Sequence, residues 1–90
     1  MVYLIDSIMP SDKNIFIPQM IFNVQGTPVL SGILKSGQLK SGMTTTIDGK
    51  KLKIIKIDQG TANLGISLSD IDITQAQNLV NKELEFFETE

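Results

Sequence analysis

Six lysines crowd residues 35–56 of this chain: Lys35, Lys40, Lys50, Lys51, Lys53 and Lys56. Amines grouped in this way attract phosphate by simple Coulomb attraction. The segment holds one acid, Asp48, and carries +5, whereas residues 57–90 carry −6 and the first 34 residues −1. Lysine on exposed strands also keeps sheet edges from pairing with one another. With no arginine and no interleaved aromatic residue, the composition favours that solvated role for most of them.

Other chemistry is thinly provided. Gly37-Gln38-Leu39-Lys40-Ser41-Gly42-Met43-Thr44 approaches a phosphate-binding loop. Met43 stands where the lysine that reaches the phosphates belongs, and β-branched Thr44, Thr45 and Thr46 follow where a helix should begin. Nucleotide hydrolysis is excluded on both counts. Asp70 and Asp72 share one side of an extended segment, with Asp58 available nearby, but a hard cation needs six or more oxygens. No Gly-centred loop supplies them, so these read as surface acids and no metal is expected. Histidine, arginine, cysteine and tryptophan are all missing. Gone with them are a base active near neutral pH, a thiol nucleophile and a bidentate guanidinium clamp. The remaining lysines, carboxylates, hydroxyls and Tyr3 form no catalytic grouping. The expectation is a protein that is not an enzyme and uses no cofactor.

The elements that would position these residues are short and extended. Ninety residues make a single domain with room for one core. Gly32, Gly37 and Gly42 recur at five-residue intervals, with Leu34 and Leu39 between them, and each Lys-Ser-Gly triplet reads as a turn. Gly26, Gly32, Gly37, Gly42, Gly49 and Gly65 are all assigned as structural turns. Residues 1–13 read as an apolar arm or strand. Asn14 to Val24 is a strand interrupted at Pro18, with Phe16, Met20 and Phe22 on one face, Ile15, Ile17 and Ile21 on the other, and a change of facing at a proline bulge. Gln25-Gly26-Thr27-Pro28 is a turn, and Val29 to Leu34 the next strand. Asp48-Gly49 predicts a two-residue hairpin between Thr44–Ile47 and Lys50–Ile57. In the return strand the facing reverses near Ile54, implying a bulge.

Leu64 to Leu68 alternates as a half-buried strand does. Ile73, Ala76, Leu79 and Val80 have helical spacing, so one short helical turn is expected within 73–80. Glu83 to Phe87 closes the chain, with Leu84 and Phe86 inward and 88–90 frayed. The architecture is all-β: a small closed six- to seven-stranded antiparallel β-barrel over residues 14–87. Absence of cysteine fits a cytoplasmic protein, no run is long and apolar enough for a membrane span, and Met1 without a cloning tag favours a complete small protein.

From Asn14 to Phe87 the chain resembles the β-barrel second domain of translational GTPases, the elongation factor Tu domain 2-like family, without the GTPase domain. The likeness runs through Phe22, Gly26, Val29-Leu30-Ser31-Gly32, Lys35-Ser36-Gly37, Leu39 and Gly42, then Ala62-Asn63-Leu64-Gly65-Ile66 and a closing strand through Leu79 to Phe87. It departs at Met20, where the family commonly has Asp, and at Asn81-Lys82, where a glycine often precedes the last strand. The resemblance implies a translation-protein barrel that contacts RNA, tRNA or rRNA, without catalysis. Phe22 and Asn63 are the positions most like its aminoacyl-end pocket, and Lys35, Lys40, Lys51 and Lys53 would meet phosphate. Core packing for Phe22 and a left-handed turn for Asn63 are the alternatives. A second expectation is a module that docks onto a GTPase or ribosomal protein through an exposed apolar patch involving Met1 to Ile8. Neither DNA nor membrane is expected as a partner.

Overall fold

The computed structural model describes residues 13–60 and 63–88. Asp48 and Gly49 adopt φ of +53° and +81°, the mirror-image turn that matches the twist of paired strands. They join β3 (Thr44–Ile47) to β4 (Lys50–Gln59). Gln25 and Gly26, at +53° and +84°, do the same between β1 (Asn14–Val24) and β2 (Thr27–Ser36). This turn is two residues shorter than the sequence implied, because Thr27 and Pro28 already pair with Val24 and Asn23. β5 (Leu64–Leu68), the helix α1 (Ile73–Gln77) and β6 (Leu84–Phe86) complete the order.

The six strands form one antiparallel sheet in the order β3-β4-β5-β2-β1-β6. It curls until its two edge strands meet: Thr44 and Phe87 exchange backbone hydrogen bonds of 2.9 and 2.8 Å. Beside that bridge the buried Thr45 hydroxyl donates to the Glu85 carbonyl at 2.8 Å. The barrel is therefore nearly closed, with six strands and one short helix among the described residues. Asp72 starts that helix through a capping box: its carboxylate accepts from the Gln75 amide, and the Gln75 side chain accepts from the Asp72 amide. Ala76 and Leu79 are buried with the barrel core. Phe16, Leu30, Ile54, Ile66 and Phe86 are fully enclosed there; each such side chain contributes about 1.5–3 kcal/mol on leaving water.

Two sequence readings need correction. Gly32 and Gly65 are not turns; they lie inside β2 and β5. At Gly32 the reason is close approach, since a Cβ there would overlap the Ile17 carbonyl of the neighbouring strand. Secondly, Phe16 does not share a face with Met20 and Phe22. The change of facing expected at a proline bulge is present: β1 runs on through Pro18, and the ladder slips between Pro18 and Met20, leaving Gln19 as an extra residue. Phe16 and Pro18 point inward before this bulge, and Met20 and Phe22 outward after it. The bulge expected near Ile54 lies between Ile54 and Lys56.

The arm expected over 1–13, with Tyr3 and the Met1–Ile8 patch, falls outside the described residues except for Lys13, as do Thr61, Ala62, Thr89 and Glu90. Glu88, expected to fray, accepts from Lys40 Nζ at 3.2 Å.

Candidate functional site: the outer face of the barrel

Two of the three register shifts, at Gln19 and at Ile55, determine what this face of the barrel shows to solvent. After the Gln19 bulge, Met20, Phe22 and Val24 stand outward on β1, opposite Ser31, Val29 and Thr27 of β2. The bulge in β4 leaves Ile55 without a partner in the β5 ladder and turned outward. Phe22 is 49% exposed and Ile55 55% exposed, and Met20 and Val24 are as open. Phe22, Val24, Val29 and Ile55 share a surface groove of about 390 Å³ with Lys56 and Asp58 at its rim. Lys56 Nζ lies 3.9 Å from Asp58 Oδ2, so the rim is close to neutral. Contiguous exposed apolar surface of this kind marks a contact site more often than scattered single residues do.

The residues singled out in the sequence do not converge. Phe22 is on the surface and not in the core. The Asn63 side-chain amide donates to Ser31 Oγ at 3.5 Å. It borders a different cavity, of about 530 Å³, with Gly32, Leu39, Ile57 and Leu64. Phe22 and Asn63 thus line two different hollows of the surface.

Lys35 Nζ donates to Glu83 at 2.7 Å and Lys40 to Glu88 at 3.2 Å. Lys50 Nζ donates to the Asp70 carbonyl at 3.0 Å. The acidic final third thus folds back along the basic middle. Such exposed pairs are individually weak, about 0–1 kcal/mol, yet they offset the +5 that the linear sequence displays. Lys51 and Lys53 project from the exposed side of β4, opposite Thr46 and Thr44, and form no ion pair among the described residues.

Among the described residues, no group of three or more carboxylates is placed to hold a metal ion, and no helix is long and apolar enough to cross a membrane. Asp70 adopts a left-handed φ of +55°, and Asp72 is the helix cap. Sequence reasoning passed over Met20, Val24, Val29 and Ile55 as surface residues. One signal was present: residues 14–34 contain no charged side chain, which is unusual for strands that face water on one side. Set against protein-family models, curated proteins and solved structures, the chain matches none of them.

Proposed function

We propose that this barrel is a non-catalytic module that docks onto another protein through the outer face of β1, β2 and β4. The observation that carries the reading is the pair Phe22 and Ile55, both about half exposed and both lining one nearly neutral groove. A half-exposed aromatic beside an exposed aliphatic residue is surface that gains by leaving water, and such anchors dominate protein interfaces. The partner presents an uncharged apolar patch of its own. The resemblance to translation-factor barrels makes a translational GTPase or a ribosomal protein the class to try first.

RNA contact is the second reading, and Lys51 and Lys53 favour it. They lie on the same sheet as the exposed Phe22 ring, which offers a face for a base to stack on.

Binding of the labelled chain to purified ribosomal subunits, to a purified translational GTPase and to tRNA separates the two. Docking predicts binding to a protein-containing partner that changes little between about 50 and 200 mM salt. It also predicts at least a roughly tenfold loss in Ile55→Lys. A steep salt slope, abolished by Lys51→Ala with Lys53→Ala, transfers the site to RNA. Failure to bind any of the three refutes both.

A further inference from the structure

We infer that two copies of this chain join through the edge of β1 that no described residue pairs, setting residues 20–24 antiparallel with the same residues of a second copy. This goes beyond the docking proposal, because it uses backbone groups that the groove does not, and either can fail alone.

The edge is created by unequal strand lengths. β1 runs from Asn14 to Val24, and β2 follows it to the pair Val24 with Thr27. On its other side β6 covers only Asn14, Ile15 and Phe16. The Asn81 amide then donates to the Pro18 carbonyl at 2.7 Å. Beyond Pro18, no described residue makes a backbone hydrogen bond to that edge.

The groups left over can be named. A two-residue turn is closed by a hydrogen-bonded pair, so Val24, and with it Phe22 and Met20, direct their N–H and C=O toward β2. Ile21 and Asn23 direct theirs away from it. Pro28 agrees with this phase: it lies opposite Asn23 and has no N–H to give across that pair.

A twofold axis at Phe22 satisfies all of these groups. Ile21 then faces Asn23 of the second copy, and each of the two such pairs exchanges two N–H···O=C bonds. The same register sets Phe22 against Phe22 and Met20 against Val24, in pairs where side chains approach most closely. Sliding the register by one pair in either direction brings in Gln19, the bulge residue, or Gln25, a turn residue. The hydrogen bonds and the exposed apolar side chains therefore select one alignment. No charged side chain on β1 or its neighbour up to Leu34 opposes the pairing, since residues 14–34 are uncharged. The lysine and proline that usually guard sheet edges are absent from Gln19 to Val24. The interface is isologous and closes at two copies, and it joins the two outer apolar faces into one.

Sedimentation equilibrium of the full chain, from about 1 to about 500 µM, tests this directly. The expected mass is twice 9.9 kDa at the upper end, with concentration-dependent protection of the Ile21 and Asn23 amides from exchange. Asn23→Pro removes an outward N–H without touching the β2 ladder, and is expected to weaken association at least about 100-fold. Phe22→Lys places like charges on the axis and gives the same result should the proline variant not fold. Ile55→Lys, away from the edge, leaves the dimer intact while weakening the docking site. A wild-type chain that stays at 9.9 kDa throughout overturns the inference, as does a dimer that survives both edge variants.

Discussion

Replacing Gly32 with alanine tests how β1 and β2 meet. Gly32 pairs with Pro18 at the bulge. A Cβ built on it falls on the Ile17 carbonyl oxygen and lies 2.8 Å from both the Ile17 carbonyl carbon and Pro18 Cα. All of these are backbone atoms, so no change of rotamer relieves the overlap. Restoring a carbon–carbon separation of about 3.5 Å to Pro18 needs a movement of about 0.7 Å, and the carbonyl oxygen requires more.

Strands held apart by that distance weaken the adjacent ladder bonds, each contributing about 0.5–1.5 kcal/mol. Overpacking itself costs about 1–3 kcal/mol. Gly32→Ala should therefore destabilise by about 2–4 kcal/mol, against a total of about 5–13 kcal/mol for a domain of this length. In urea unfolding followed by far-UV circular dichroism, with a slope of about 1–2 kcal/mol per molar, the midpoint should fall by about 2 M.

Gly65→Ala is the control. Its nearest neighbour is the Val29 side chain at 3.3 Å, which can give way, so its cost should stay below about 1 kcal/mol. If Gly32→Ala unfolds within about 0.5 kcal/mol of wild type, or if Gly65→Ala is the more damaging, the close-approach reasoning is wrong.

Two further outcomes follow from the core and the seam. Thr45→Val deletes the hydroxyl that bonds the Glu85 carbonyl. It should cost about 1–2 kcal/mol and speed amide exchange at Thr44 and Phe87, measured by NMR, while leaving exchange in β5 unchanged. Ile66→Ala, at a fully enclosed position, should cost about 2–5 kcal/mol and lower Tm by more than about 10 °C in a thermal melt.

Much of the fold was legible locally. Asp48-Gly49 defined its hairpin because few residue pairs accept two consecutive positive φ angles, and Leu84 and Phe86 showed their inward face by strict alternation. Ile73, Ala76 and Leu79 marked the helical stretch by spacing alone. The error at Gly32 has a physical source: a glycine in a turn and a glycine pressed against a neighbouring strand look identical in sequence, and only the strand beside it distinguishes them. The error over Phe16, Met20 and Phe22 arose one residue away, at Gln19. Pro18 had marked a bulge, but a bulge shifts the two-residue period by one, and only the pairing with β2 shows that the slip falls between Phe16 and the Met20–Phe22 pair.

The candidate site was less readable for the same reason. Phe22 was singled out through the resemblance and has Val29 directly beside it across the hairpin, but its companion Ile55 lies on β4, far along the chain, and meets it only through the pairing of β4 with β5 and of β5 with β2. The lysine cluster misled in the opposite direction. Its charge is a property of the linear chain, whereas Glu83 and Glu88 reach Lys35 and Lys40 only once β6 has closed beside β1.

By itself, then, the sequence determined strand content, the Asp48-Gly49 hairpin, the inward residues of the last strand and the absence of histidine, cysteine, arginine and tryptophan. Those depend on side-chain type and on neighbours one to four positions away. The tertiary structure alone decided which apolar residues reach solvent, which lysines find an acid and which stretch of β1 no described residue pairs. Each of these depends on strand register and strand length, quantities fixed by pairing between distant segments and by no residue acting alone.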